Sequence, residues 1–302
     1  MQRLPLPDRC RAKRVCKMWN RILCDDSLWR HVDLTEYHLD LKAMWKLVRY
    51  SFLPCLLTLK IWGYAFADDG SEEKPSVSKA LLRGLSTRCP NLQLLHLFEH
   101  KTSSISFEHL PASITCLEMV NNKWWPRWLK DKQMHLPKLE HLNLDESEHV
   151  SDLDLEDIAM FKNLKYLSLY RCCNIGSTGV TTIAENLSEL EVLNIGHASV
   201  DDLAVYYIAL HLKKLKELFL EKCRKLTDIA LFSIAEGLLV LDTLDISFCE
   251  EITIIGLEFL IDTNLSLLIA KHAWYRYSEE DIQKFKRGFS EDFTLVSFKN
   301  RN

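Results

Sequence analysis

The feature that most constrains the fold is a leucine pattern that returns about every 25 residues. The segment "LKELFLEKCRKLTDIALFSIAEGL", which begins at Leu215, reads L-x-x-L-x-L-x-x-C, followed by a Leu-Thr-Asp turn and an amphipathic run. From residue 114 onward the copies begin 25, 25, 26, 25, 26 and 24 residues apart. Nine copies in one phase are too many for chance, and they predict a repeat architecture. The copies begin at Leu56, Leu92, Ile114, Leu139, Leu164, Leu190, Leu215, Leu241 and Leu265.

Two leucines in each copy lie two residues apart, which points both side chains to one face of a short strand. The run that follows, with Ile229, Leu231 and Ile234 in one copy, turns one helical face back toward the strand. One such unit cannot bury its leucines alone, whereas stacked units share a core. The sequence therefore predicts an α/β leucine-rich-repeat solenoid, with a curved parallel sheet and helices outside it.

Cysteines follow three of the strand copies, at Cys172, Cys223 and Cys249. A small, weakly polar side chain fits a tight buried corner, so we interpret these thiols as packing residues rather than nucleophiles or ligands. No C-x-x-C pair occurs, which argues against zinc. Ten cysteines in a chain of this length are not a disulfide framework, and no apolar secretion signal is visible. We therefore expect reduced thiols in the cytoplasm or the nucleus.

The charge of the chain gives little reason to expect nucleic acid as a partner. The net charge is −4, although residues 1–30 carry eight Arg or Lys against three Asp, which we interpret as a solvated helix face. The run "NNKWWPRWLKDK", residues 121–132, could stack on bases, but it falls where an outer helix belongs, and we favour packing. No window approaches about 18 unbroken apolar residues, so no membrane is expected as a partner either.

The pattern loosens toward both ends of the repeat region. The segment "FADDGSEEKPS", residues 66–76, reads as a polar surface loop. After the last copy, "SEEDIQKFKRGF" predicts a helix with Ser278 as its N-cap, followed by an apolar run from Phe293 to Val296. A solenoid needs to cover its last open core, and we interpret this segment as a C-terminal cap.

No pattern in the chain predicts catalysis or a bound metal. The acidic run "DESEHVSDLDLE", residues 145–156, has the length of a calcium loop, but Val150 stands where such a loop needs Gly. No H-E-x-x-H, G-x-S-x-G, P-loop or G-x-G-x-x-G occurs. We therefore expect a protein that is not an enzyme, with no metal and no cofactor.

The strands of a solenoid present the side chains beside the leucines as a concave surface. Tyr, Phe and Arg in a polar setting are residue types that dominate binding energies at protein interfaces, and they cluster in the middle repeats. We expect a protein partner to bind there. The predicted contact residues are His141, Asn143, Asp145, Tyr166, Tyr170, Arg171, Asn194, His197, Phe219, Glu221 and Lys222.

A different pattern precedes the repeats. In residues 14–34, Val15, Trp19, Ile22 and Leu23 form the apolar stripe of a predicted helix, and "DDSLW" supplies a turn before a strand. The segment "LPLPDRCRAKRVCKMWNRILCDDSLWRHVDL" resembles the latter half of an F-box, which ends in V-C-x-x-W-x-x-L-x-x-D-x-x-L-W. An F-box before cysteine-type leucine-rich repeats is the architecture of the F-box/LRR family, and the chain as a whole resembles that family.

The resemblance implies a function. Members of this family are substrate receptors of Skp–cullin–F-box ubiquitin ligases. The F-box binds the Skp adaptor, and through it the cullin–RING ligase, while the repeats bind the protein to be ubiquitinated. Such a receptor does no chemistry itself, because it acts by holding a substrate lysine near the loaded ubiquitin-conjugating enzyme.

The chain departs from the family pattern at its start. A full F-box begins with an L-P-x-E-x-x-x-x-I-F-x-x-L helix, and here only three residues precede Leu4. The alternative is a leucine-rich-repeat interaction scaffold that has lost adaptor binding. We divide the chain into a truncated F-box, residues 1–33, and a cysteine-type repeat solenoid with its cap, residues 34–302. The residues left to dock the adaptor are Leu4, Pro5, Leu6, Val15, Cys16, Trp19, Leu23 and Trp29.

Overall fold

The computed structural model describes residues 4–65, 74–271, 280, 285–289 and 293–296. The chain forms two compact units, here called unit 1 (residues 1–123 and 132–139) and unit 2 (residues 124–131 and 140–302). Each unit combines parallel strands with helices, which confirms the predicted α/β class. Within the described residues, no helix has both the length and the apolar character needed to cross a membrane.

Unit 1 begins with two short helices, which are followed by a parallel sheet. A separate antiparallel pair of strands lies in the chain between the second and third strands of that sheet. A 3-10 turn separates the second helix from the first strand. In chain order the elements are α1 (Leu6–Ala12), α2 (Lys17–Leu23), β1 (His31–Asp33), α3 (Leu41–Tyr50), β2 (Thr58–Trp62), β3 (Tyr64–Ala65), β4 (Lys74–Pro75), α4 (Lys79–Arg88), β5 (Leu94–Phe98) and β6 (Cys116–Val120).

The sheet of unit 1 has the order β1-β2-β5-β6, and all neighbours are parallel. Leu59, Leu95 and Leu117 pair in register and are fully buried, so the copies predicted at Leu56, Leu92 and Ile114 each form a strand. β1 adds a strand ahead of the first predicted copy, because Val32 pairs with Leu59 and is also buried.

The connections of unit 1 are less regular than the repeat predicts. After β5 only 3-10 turns are present, at Thr102–Ser104 and Phe107–His109. The physical reason is length, since the copies at Leu92 and Ile114 begin 22 residues apart and leave no room for a full helix. Of the polar loop predicted at residues 66–76, residues 66–73 lie outside the described part of the chain. The end of the predicted loop forms β4, which pairs with β3.

Unit 2 alternates strand and helix with nearly constant spacing. Its described strands are parallel neighbours in chain order. The elements are β7 (His141–Asn143), α5 (Asp152–Ile158), β8 (Tyr166–Ser168), α6 (Ser177–Asn186), β9 (Val192–Asn194), α7 (Asp202–His211), β10 (Glu217–Phe219), α8 (Asp228–Gly237), β11 (Thr243–Asp245), α9 (Ile254–Glu258), β12 (Leu267–Ile269) and β13 (Thr294–Val296).

The last strand of unit 2 covers the end of the sheet. β13 comes from the apolar run predicted at Phe293 to Val296, and Leu295 pairs in register with the fully buried Leu268. The helix predicted with Ser278 as its N-cap begins outside the described residues, and only residues 280 and 285–289 of it are described.

The three strand-ending cysteines of unit 2 occupy buried corners, as the sequence predicts. The thiol of Cys172 donates to the carbonyl of Leu144 over 3.2 Å, and that of Cys223 donates to Ile195 over 3.5 Å. Burial raises the pKa of both thiols to about 12. They therefore stay protonated at neutral pH, and Cys249 is buried in the same way.

Three helices of unit 2, α5, α7 and α8, are also tied to the next repeat by a carboxylate at their first residue. Asp202 accepts the backbone N–H of Thr227 over 2.8 Å, and Asp228 accepts that of Thr253 over 2.7 Å. Asp152 makes the same bond to the following repeat over 2.7 Å. These bonds satisfy backbone donors at the corners and fix the spacing between repeats.

The outer helix predicted at residues 121–132 is wrong. The backbone there consists of turns, because Pro126 offers no N–H donor and Arg127 adopts a left-handed φ of 55°. The packing role that we favoured does hold for Trp124, which is buried and donates from Nε1 to Asp154 Oδ1 over 2.8 Å.

Candidate functional site

The N-terminal module, residues 4–34 of unit 1, closes around Trp29. The Trp29 ring is fully buried, and its Nε1 donates to the carbonyl of Leu23 over 2.7 Å. Arg9 fastens the start of the module, since its Nε donates to Leu4 and its Nη1 to Leu28, over 2.8 and 2.9 Å. Leu23 and Trp29 were predicted to dock the adaptor, but both are fully buried and act on a partner only by shaping the surface above them.

The exposed surface of the module is apolar and basic. Val15, Met18 and Ile22 are 69%, 64% and 42% exposed, and Trp19 is half-buried. The single helix predicted through Val15 is wrong, because α1 and α2 are separated by a turn at residues 13–16. Met18 and Ile22 were missing from the predicted docking set, although Ile22 belongs to the predicted apolar stripe and Met18 lies one helical turn before it.

The remaining predicted docking residues lie at the edge of this surface. Pro5 and Cys16 are exposed, whereas Leu4 and Leu6 are half-buried. Leu6 also lines a cleft of about 700 Å³ between α1 and α3, whose other lining residues include Leu47 and Lys13. The module therefore offers a partner apolar side chains in a basic setting.

The predicted binding face of unit 2 is built from the strand residues that alternate with the buried leucines. His141 and Tyr166 stack with ring centroids 3.8 Å apart and planes 6° from parallel. Tyr170 meets His197 edge to face at 5.1 Å. Phe219 is half-buried on the same face of β10. These rings give the face an aromatic surface with polar edges, as expected for protein recognition.

Five residues that follow the strands of unit 2 share a left-handed backbone, and we call them the rim row. Each backbone N–H donates to the next repeat, for example Arg171 to Gly196 over 3.0 Å and His197 to Glu221 over 2.6 Å. Neighbouring parallel strands lie about 4.8 Å apart, so the row presents one side chain per repeat at that spacing. The rim row consists of Glu146, Arg171, His197, Lys222 and Phe248.

Charged groups of the rim row lie close to one another and to aromatic rings. The guanidinium of Arg171 lies 3.0 Å from Glu146 Oε1 and 5.2 Å from the centre of the Tyr170 ring. The ammonium of Lys222 lies 5.1 Å from the centre of the Phe248 ring. Burial, helped by the charge of Lys222, lowers the pKa of His197, so its imidazole is neutral at pH 7.

Three of the predicted contact residues hold the corner backbone instead of facing solvent freely. Asn143 Oδ1 accepts the N–H of Asp145 over 2.8 Å, and Asn194 Oδ1 accepts that of Gly196 over 3.1 Å. The Asp145 carboxylate accepts the Ser168 hydroxyl and a backbone N–H, and burial raises its pKa. Their role is to orient the rim row. Glu221 is half-buried, with Oε1 3.9 Å from His197 Nε2.

Unit 1 carries an aromatic cluster that sequence reasoning missed. The rings of Trp62 and Phe98 lie 4.3 Å apart on paired positions of β2 and β5, and His38 meets Trp62 at 4.7 Å. On the same strand face, His96 Nδ1 lies 2.6 Å from Glu118 Oε2. The signal was present in the alternation of β2 and β5, but our prediction considered only the middle repeats.

Comparison with known proteins gives the family of this chain. Residues 1–35 match the F-box-like family. The chain is 34% identical over 218 residues to F-box/LRR-repeat protein 12 of Mus musculus, a match that covers 71% of this chain and 66%, just under two thirds, of the mouse protein. It is 33% identical over 244 residues to F-box/LRR-repeat protein 12 of Bos taurus, covering 80% of this chain and 73% of the bovine protein.

A solved structure is similar along nearly the whole chain but much more distant in sequence. It is the crystal structure of the Rad7 and Elc1 complex in yeast, with 12% identity, a TM-score of 0.45 and coverage of 99% of this chain and 96% of that chain. A likeness at this level has no bearing on function. The F-box-like match at the start and the bovine relative, taken together with the repeat structure, place the chain in the F-box/LRR-repeat family.

Proposed function

We propose that the chain is the substrate-recognition subunit of a Skp–cullin–F-box ubiquitin ligase. The N-terminal module docks the Skp adaptor, and through it the cullin–RING ligase. The concave face of unit 2 binds the protein substrate. The proposal includes no catalytic residue and no cofactor, because such a receptor acts by raising the effective concentration of substrate at the ligase. We propose the cytoplasm or the nucleus as its location.

One observation carries the adaptor half of the proposal. The N-terminal module closes its own core around Trp29 and still leaves Val15, Met18 and Ile22 exposed. Large apolar side chains that stay exposed beside a closed core mark a protein-binding surface. The surrounding arginines and lysines favour a partner whose surface is acidic around its apolar contacts.

The substrate half of the proposal is supported by the rim row and the rings beside it. Tyr170, Arg171 and Phe219 combine aromatic area with a fixed cation, which is the composition of binding hot spots. The scaffold holds these side chains through its own backbone bonds, so binding a substrate orders few additional groups.

The test is a binding measurement between the whole chain and purified Skp adaptor. We expect Val15→Glu/Ile22→Glu to weaken binding by about a hundredfold, because two charges then enter an apolar contact. Met134→Glu is the matched control, since Met134 is 79% exposed and lies outside the module. Trp29→Ala is unsuitable here, because it removes the core of the module together with any docking surface.

The same measurement decides between the two readings of the sequence. If the unaltered chain and Met134→Glu bind the adaptor and Val15→Glu/Ile22→Glu does not, the result supports the ligase subunit. Failure of the unaltered chain to bind the adaptor leaves the alternative, a leucine-rich-repeat scaffold that engages no ligase. In that case Tyr170→Ala/Arg171→Ala remains the variant with which to test the concave face for protein partners.

A further inference from the structure

The outer helices of unit 2 carry a continuous apolar surface that the proposed function does not use. Leu203, Ile229 and Ile255 are 60%, 64% and 64% exposed, and each is the second residue of its helix. Tyr206 and Phe232, the fifth residues of α7 and α8, are both 49% exposed. These side chains lie on the helices, whereas the predicted substrate face is formed by the strands.

The repeat itself does not require this apolar surface. Helix α6 packs beside α7 in the same frame, and its second, fifth and ninth residues are Thr178, Thr181 and Glu185. Thr178 and Glu185 are exposed. Leu203, which occupies in α7 the position that Thr178 occupies in α6, is exposed as well. Since the fold tolerates polar residues at these positions in α6, the apolar residues of α7 to α9 need another explanation.

The surface is continuous because the three helices pack side by side. The rings of Phe232 and Phe259 meet edge to face at 5.4 Å, which joins α8 to α9. Gly237 of α8 lies so close to α7 that a Cβ there would be 2.6 Å from the carbonyl oxygen of Ala209. We call this surface the helix patch; it consists of Leu203, Tyr206, Leu210, Ile229, Phe232, Ile255 and Phe259.

The size of the helix patch matches one side of a protein dimer. A large apolar side chain has on the order of 150–200 Å² of surface, so seven that are about half exposed present roughly 600 Å². Specific interfaces begin near 1,200 Å² in total, or about 600 Å² from each partner. Isolated exposed leucines are common on monomers, but a patch of this size marks an interface.

The composition of the three helices favours a protein over a membrane surface as the occupant. Helices α7, α8 and α9 contain neither Lys nor Arg, whereas helices that bind anionic membranes carry many basic residues. The first-turn carboxylates Asp202 and Asp228 are already bonded to Thr227 and Thr253. An apolar patch whose centre carries no free charge can pack against a second copy of itself, because no like charges are brought together.

We propose that two copies of this chain associate through their helix patches, with a two-fold axis near Phe232 of the central helix α8. This arrangement places α7 of one copy against α9 of the other, so that every apolar residue of the patch meets another. The interface is isologous and closes as a dimer, because the same patch is used on both sides. The helix patch contains no residue of the strand face or of the N-terminal module, so the inference goes beyond the proposed function.

The experiment is to measure the mass in solution of the whole chain by sedimentation and light scattering across micromolar concentrations. We expect a dimer, and we expect Ile229→Glu to raise its dissociation constant at least about tenfold, because two charges are brought into an apolar contact. Thr178→Glu is the matched control, since it places the same charge at the same helical position of α6. The control should dimerise as the unaltered chain does.

Two outcomes would overturn the proposal. One is a monomer at every concentration, and the other is a dimer that Ile229→Glu leaves intact. If Ile229→Glu fails to fold, as judged by its thermal melt, hydrogen exchange of the unaltered chain decides instead. Protection of α7, α8 and α9 that rises with protein concentration supports the dimer, and protection that is independent of concentration refutes it.

Discussion

Unit 1 and unit 2 contain the same leucine frame but join their repeats by different means. In unit 2, carboxylates such as Asp202 and Asp228 bond the start of one helix to the corner of the next repeat. In unit 1, the connections vary from the ten-residue helices α3 and α4 to the 3-10 turns after β5, and the rings of Trp62 and Phe98 pack between neighbouring strands. A constant period allows one polar contact to be used repeatedly, whereas irregular spacing needs packing that is specific to each position.

The comparison predicts that truncating one ring damages unit 1 most. Trp29→Ala removes a fully buried ring, leaves a cavity and frees the carbonyl of Leu23, so we expect unit 1 to lose about 3–5 kcal/mol of unfolding free energy. Urea titrations in which hydrogen exchange monitors unfolding will report the unfolding free energy of each unit separately. Trp125→Ala is the control in unit 2, where Trp125 is 61% exposed, and a loss of similar size there would contradict the expectation.

In unit 2, the stability should depend strongly on one buried carboxylate. Asp154 is buried and accepts hydrogen bonds from Trp124 Nε1, Ser151 and the backbone of Arg127 over 2.6 to 3.0 Å. Asp154→Ala leaves those donors without partners, and we expect a loss of about 3 kcal/mol in unit 2. Glu156→Ala on the same helix is the control; its side chain is 53% exposed, so it should change the free energy by less than about 0.5 kcal/mol.

Acidification should destabilise unit 1 more than unit 2. Burial lowers the pKa of His100 in unit 1 to about 4. As the pH falls below the ordinary value of 6.5, the unfolded chain binds the proton first, so unit 1 loses stability between pH 6.5 and about 4, by about 2 kcal/mol at pH 5. In unit 2, the lowered pKa of His197 also gives a loss as the pH falls below 6.5. Burial raises the pKa of Asp145 and Asp245, so at these two groups the folded state binds protons first, which offsets the loss as the pH falls toward the ordinary carboxyl range.

Urea midpoints at pH 7.5 and pH 5 test this difference. We expect His100→Asn to remove most of the pH dependence of unit 1, while the exposed control His149→Asn leaves it unchanged. Equal acid sensitivity of the His100→Asn variant and the unaltered chain would show that another group is responsible.

The smallest expected effect concerns the repeated cysteine. Cys223→Ser places a hydroxyl in a buried corner, where it can still donate to the carbonyl of Ile195, so we expect unit 2 to lose about 1–2 kcal/mol. Cys173→Ser, at an exposed site, should have almost no effect on the thermal midpoint. If the two variants melt alike, the buried thiol contributes nothing particular to the corner.

The regular part of this fold could be predicted because periodic leucines have only one way to share a core. Leu167, Leu193 and Leu218 pair in register as their phase requires. The break between α1 and α2 could not be predicted, because residues 13–16 contain neither Gly nor Pro. That break buries Leu23 and exposes Val15, and so it changes which residues of the N-terminal module can contact a partner.

The candidate substrate face was predictable in place but not in detail. Strand alternation correctly selects Tyr166 and Phe219 as half-buried residues of the strand face. It does not reveal that Asn143 and Asn194 hold the corners, because that role depends on backbone donors two residues later. The helix patch was also missed, since the repeat pattern describes only the residues that face the core.

The left-handed backbone of the rim row also limits how this surface can change by mutation. A β-branched residue is strained at a φ near 60°, whereas unbranched and planar side chains are tolerated because the neighbouring repeat fixes the backbone. Val, Ile and Thr are therefore poor replacements at these five positions. Arg, His, Lys, Glu and Phe are all accommodated already, one per repeat. The surface can thus acquire a new partner by single substitutions that alter charge or ring, while the scaffold beneath it keeps its geometry.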